Sequence, residues 1–89
     1  MKTPKFSNRF KKDLKRQKKR NKDPNKIITI IDHICNNGDA PFNCRPHNLV
    51  GNWSGYRECH IEPDWLLVYQ VFDEYVVFHA TGTHSDLFA

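Results

Sequence analysis

Three imidazoles and one carboxylate could do chemistry here: His47, His60, Asp64 and His84, with the rings of Trp65 and Phe88 close by in sequence. Taken singly, each has an ordinary explanation. A loop histidine is usually a surface residue, and Asp64 after Pro63 could merely cap a bend. Together they fall at loops or strand ends, where a rigid scaffold tends to present functional groups. Cleavage of an RNA backbone needs little more. A base takes the proton from the ribose 2′-OH, an acid protonates the departing 5′-oxygen, and a cation steadies the pentavalent phosphorane. Histidine suits all three tasks because its proton equilibrium lies near neutral pH. Aromatic faces such as Trp65 and Phe88 can stack on unpaired bases, as in single-stranded RNA recognition.

Two rival chemistries fit less well. A Cys/His zinc cluster could be drawn from His33/Cys35, Cys44/His47 and Cys59/His60. The first pair lies on a helix, where positions i and i+2 diverge, and only Cys44/His47 resembles a compact turn pair. No metal or other cofactor is expected. A Cys59/His60 nucleophile dyad fails because strand neighbours point to opposite faces.

The elements that must position these groups follow from charge and periodicity. In 89 residues the formal net charge is +4, but residues 1–26 carry net +10 and the rest net −6. Such a positive segment repels itself unless something anionic lies beside it. The acidic remainder supplies part of that partner. The excess at Lys11, Lys12, Lys15, Arg16, Lys18, Lys19 and Arg20 points outward, to the phosphates of a nucleic acid. An anionic membrane is disfavoured, since the stripe Phe6, Phe10, Leu14 is narrow and suits the chain's own core. No run of about 18 apolar residues exists, and no hydrophobic signal segment follows the Lys-rich start. The chain reads as cytoplasmic, with reduced thiols at Cys35, Cys44 and Cys59.

A first helix is expected over about Asn8–Arg20, capped by Ser7 or Asn8. Asp23 suits the N-cap of a second, with Pro24 at its first position. Ile27, Ile30, Ile31, Ile34 and Cys35 bury one face of that helix, and Gly38 ends it. A short connection between the two favours an antiparallel pair. Residues 39–48 read as loop. Strands are expected at Tyr56–Glu62, Trp65–Phe72 and Tyr75–Gly82, the last two joined as a hairpin through Asp73-Glu74. A shorter fourth strand is expected at Asn48–Trp53, and a closing helical turn over Thr83–Ala89. Helices first and strands afterwards give an α+β fold: one domain, residues 1–89, with the helix pair on one face of a mainly antiparallel three- to four-stranded sheet and the other face open.

The stretch Leu49–Tyr69 fits L-x-G-x-W-x-G-x-R-x-x-H-x-x-x-D-W-x-L-x-Y, and Thr81–Phe88 reads T-G-T-H-S-D-L-F. Both resemble the signatures of the YafQ branch of RelE-type toxins, and the basic helix and strand order fit as well. The resemblance implies the RelE-like microbial ribonuclease fold and a ribosome-dependent mRNA endoribonuclease acting by metal-independent 2′-OH attack. It implies a cognate antitoxin, typically a ribbon-helix-helix protein that contacts operator DNA. Carried over by position, His47 is the loop histidine of the site. His60 and Asp64 are the pair assigned to base and phosphate-positioning work. Trp65 is the tryptophan beside them, His84 the general acid and Phe88 the aromatic near the end. One position departs: the arginine before Thr-Gly-Thr-His is Ala80 here. That guanidinium is expected to hold the scissile phosphate, and losing such a donor costs about 10²–10³ in rate. Ala80 marks either an attenuated toxin or a replaced residue. His79 is adjacent, but strand alternation aims it at the opposite face. From a different class, the rival reading is a non-catalytic RNA- or ribosome-binding module.

Overall fold

The computed structural model describes residues 1–88. In chain order these form β1 (Thr3–Phe6), α1 (Asn8–Lys19), α2 (Pro24–Asn37), β2 (His47–Asn48), β3 (Arg57–Glu62), β4 (Trp65–Val71), β5 (Tyr75–Gly82) and α3 (His84–Phe88). The sheet runs β1-β5-β4-β3-β2, antiparallel except where β1 joins β5 in parallel. The fold is α+β, with a mixed five-stranded sheet where three or four strands were expected.

Local chemistry sets the helix ends. Ser7 Oγ accepts from the Phe10 N–H at 2.9 Å, and Asp23 caps α2 through the Asn25 N–H. Gly38 takes φ 85°, where a side chain would be strained, and its N–H donates to Ile34 O. Between these caps α2 buries Ile27, Ile30, Ile31, Ile34 and Cys35 in one layer with Cys59, Trp65, Leu67, Tyr69, Val76 and Phe78 of the sheet. Each buried isoleucine contributes about 1.5–3 kcal/mol, so tertiary burial rather than helix propensity holds α2 in place.

Three expectations need correction. The N-terminal residues form a strand: Thr3–Phe6 pairs with Tyr75–Phe78, and Pro4 is tolerated because β1 lies at the edge. Phe6 therefore belongs to β1, stacking on Phe10 at 5.3 Å and Phe78 at 5.6 Å. The buried positions of α1 are Phe10, Asp13 and Gln17, with Leu14 only partly covered. The fourth strand is only His47–Asn48, and Gly51–Trp53 is a single 3₁₀ turn. The expected closing turn is α3; its outermost residue, Ala89, lies outside the described residues.

Asp13 has a structural task. β1 covers the edge of β5 only as far as Phe78, and α1 caps the rest of that edge. Ser7 Oγ donates to His79 O at 2.7 Å, and the Thr81 N–H donates to Asp13 Oδ2 at 3.2 Å. The buried carboxylate thus meets a backbone donor that has no strand partner.

Candidate active site on the open sheet face

Alternation sorts the sheet into two faces. Cys59, Trp65, Leu67, Tyr69 and Phe78 point toward the helices, while Leu66, Val68 and Ala80 form a second cluster with Leu87, Leu49, Trp53 and Tyr56 on the other side. Between Phe78 and Ala80 the register with β4 slips, leaving His79 as an extra residue in β5. A bulge of this kind lets consecutive side chains share a face. His79 Nε2 meets Gln70 Oε1 at 2.8 Å, and its ring lies edge-on to Tyr56 at 4.7 Å. His79 therefore stands on the same face as Ala80, which corrects the alternation argument. Burial pushes its pKa down, so the ring is neutral at pH 7.

The open face gathers the four polar candidates. The His47 and His60 rings lie 6.4 Å apart, the His60 and His84 rings 6.1 Å, and Phe88 stands 6.3 Å from His84. Asp64 Oδ1 accepts both the His84 backbone N–H at 3.0 Å and its ring Nδ1 at 2.9 Å. Those two bonds, the backbone one first, hold the Asp64 carboxyl below its ordinary pKa. An ionised carboxylate only accepts, so the proton of His84 sits on Nδ1 and Nε2 is left to exchange one with a substrate.

α3 carries His84 and is pinned from both sides. Thr83 and Asp86 form a reciprocal cap, Thr83 N–H to Asp86 Oδ2 at 3.0 Å and Asp86 N–H to Thr83 Oγ1 at 3.1 Å. Arg20 grips both oxygens of Asp86, at 2.6 and 3.2 Å. Gly82 is required here, because a Cβ would lie 2.8 Å from Asp86. Arg20 is thus committed within the chain, correcting its assignment to RNA. Lys11, Lys12, Lys15, Lys18 and Lys19 remain exposed, as does Arg16, whose contact with Asp13 is a long 3.9 Å.

His47 is held by its surroundings. Its Nδ1 donates to Arg45 O at 3.1 Å. Its neighbour Asn48 accepts from Arg57, whose guanidinium also grips Asp39 at 2.6 Å. Burial works against ionising Asp39, yet Arg57, Tyr69 and the Ala40 N–H hold its carboxyl below the usual range. Glu58, which the sequence reading missed, is buried behind the site, with Oε1 3.4 Å from His47 Nε2 and 3.9 Å from His60 Nε2. Its signal was available: it lies two residues before His60 on β3 and therefore shares that face. His60 Nδ1 is buried with no hydrogen-bond partner among the described residues.

Two assignments to the substrate surface do not survive. Trp65 is 1% exposed, and its Nε1–H donates to Thr81 Oγ1 at 2.9 Å inside the helix-facing core. It has no free face for a base. The indole on the open face is Trp53, half-buried and edge-on to Phe88 at 5.6 Å and to Tyr56 at 5.3 Å. Ala80 is fully buried beneath this cluster and offers a substrate nothing. Cys59 faces the helix layer while His60 faces outward, and burial drives the Cys59 thiol pKa upward, so these two residues form no dyad.

A family profile described as the bacterial toxin of type II toxin–antitoxin systems, YafQ, matches residues 2–89. This chain belongs to the YafQ toxin family. The mRNA interferase toxin YafQ of Escherichia coli K12 is 42% identical over 84 residues, which cover 93% of this chain and 91% of that protein. The crystal structure of YafQ from E. coli BL21(DE3) superposes with a TM-score of 0.92 at 38% identity, covering both chains fully. The YafQ of the E. coli DinJ–YafQ toxin–antitoxin complex gives 0.89 at 39% identity, over 99% of this chain and 98% of that one. A metal-bound toxin from Helicobacter pylori gives 0.89 at 32% identity, over 99% and 100%. As a YafQ-family toxin, this chain has its open-face histidines on a scaffold shared with solved relatives. Among its described residues no helix is long and apolar enough to cross a membrane.

Proposed function

We propose that this toxin is a ribosome-dependent mRNA endoribonuclease, working in the cytoplasm and silenced by a cognate antitoxin of the ribbon-helix-helix type, through which it reaches operator DNA. The single observation that carries the reading is the row His47, His60, His84, with Asp64 fixing the proton of His84 on Nδ1. His60 takes the 2′-OH proton, the freed oxygen attacks the adjacent phosphorus, and His84 protonates the departing 5′-oxygen. The bond to that oxygen breaks as the 2′–P bond forms, leaving a 2′,3′-cyclic phosphate and a 5′-OH. No step needs a metal. His47, backed by Glu58, faces the phosphate, and Trp53 with Phe88 offers the surface for a base. The exposed lysines of α1 hold the ribosomal RNA backbone. With Ala80 where the family motif has arginine, turnover is slowed.

The test is cleavage of message on translating ribosomes, with and without antitoxin. His84→Gln should lower the rate by about 10²–10⁴ while RNA affinity stays within about twofold. A His84→Gln protein that cuts as fast as the parent would refute the assignment. RNA binding with no cleavage by the parent would favour the binding-module reading instead.

A further inference from the structure

An open-face site that handles a phosphodiester needs a fixed positive charge, and the described residues lining its Trp53–His84 end do not supply one. Glu58 and Asp64 are acids, and the remaining polar groups are imidazoles. Ala80 is a covered methyl, and His79 is engaged by Gln70 and kept neutral by burial. Two other arginines are spoken for, Arg20 by Asp86 and Arg57 by Asp39, while Arg45 stands exposed at the opposite, His47 end of the row. Arg9 differs. It reaches from the first turn of α1 around the edge of β5, and its guanidinium carbon lies 5.8 Å from the centre of the Trp53 ring. Its Nε rests 3.5 Å from Asp13 Oδ2, the same oxygen that accepts the Thr81 N–H. That tether fixes the guanidinium beside β5. Among the described residues no hydrogen bond claims its terminal amino groups, and the side chain is half exposed.

We propose that Arg9 is a substrate-binding residue, its guanidinium holding a backbone phosphate of the RNA next to the base that lies on Trp53 and Phe88. A cation–π contact with the indole combined with a bidentate fork toward an anion suits a guanidinium better than an ammonium. The aromatic row continues from Trp53 to Phe88 and on to His84, so a phosphate at Arg9 belongs to the same stretch of backbone as the bond to be cut. The inference rests on the ribonuclease reading for the identity of its ligand.

The experiment uses a short single-stranded RNA with 2′-O-methyl riboses, which cannot be cleaved, read by fluorescence anisotropy across a salt series. Arg9→Gln should weaken binding about tenfold, with the log–log salt dependence shallower by about 0.7, one phosphate's worth. Arg9→Lys should recover part of the affinity and the full slope, whereas a purely structural cover over Trp53 would leave Gln and Lys alike. Melting curves of both variants should match the parent. Binding of Arg9→Gln within twofold of the parent with unchanged slope overturns the proposal. So does a loss seen only with Arg45→Gln, at the His47 end of the row. Cleavage of the unmodified RNA on ribosomes is measured in parallel. If the parent does not cut, the ribonuclease reading falls while the anisotropy series still decides Arg9.

Discussion

Replacing each tryptophan in turn separates the structural indole from the one proposed to meet RNA. Trp65→Phe removes a ring from a site that is 1% exposed and deletes the donor to Thr81 Oγ1. The smaller side chain leaves core volume unfilled, at a cost of about 1 kcal/mol. The hydroxyl keeps its own bond to Leu66 O at 2.6 Å, so losing the indole donor adds only about 1 kcal/mol. The total of about 2 kcal/mol lowers the melting temperature of a domain this size by about 10 °C. Cleavage per folded molecule at 25 °C should not change. Trp53→Ala should behave the other way, keeping most of the stability while RNA binding loses about 1–3 kcal/mol of stacking. Circular dichroism melting and cleavage on translating ribosomes read both effects. A Trp65→Phe protein that melts with the parent but cuts tenfold more slowly would refute the placement of this ring.

Two further outcomes follow from the same geometry. Ala80 is fully covered, so in Ala80→Arg the guanidinium has to part the Trp53, Tyr56 and Leu87 cover to reach substrate. In protein that still melts as one folded species, cleavage should rise about tenfold or more; equal rates in folded parent and Ala80→Arg proteins would count against attenuation at this position. The Asp86 carboxyl is held well below the usual range, chiefly by Arg20. A depressed folded pKa means stability that is complete above the unfolded value of about 3.9 and is lost as pH falls below it. Asp86→Asn should flatten that acid limb in urea denaturation at pH 7 and near pH 3, and an unchanged limb would contradict the role of the Arg20 clasp.

Features set by neighbours in the chain were legible. Asp23-Pro24, the isoleucine spacing of α2 and Gly38 act within a turn or two, and each does in the structure what its chemistry dictates. Features that depend on distant partners were not. Thr3–Phe6 carries Pro4 and Lys5 and becomes a strand only because β5 offers an edge. Asp13 looked like one more surface acid until the Thr81 N–H required it. In β4 every residue from Trp65 to Tyr69 is apolar, so alternation is silent about which indole faces the helices. The bulge at His79 shifts the faces beyond it, and no residue type announces a bulge. The cluster of His47, His60, Asp64 and His84 was visible from the sequence, but Glu58 and Arg9 were not singled out.

The pairing of Thr3 with Tyr75 has a consequence for how the toxin is made. Synthesis is vectorial, so β1 waits without a partner while some seventy further residues are added, and α1 cannot find the edge it caps until β5 is out. His47 and His60 can meet early on the β2–β3 pair, whereas His84 and Asp64 meet only after β4 and β5 have closed their hairpin. A nascent chain therefore carries at most the His47–His60 half of the row until β5 has been synthesised.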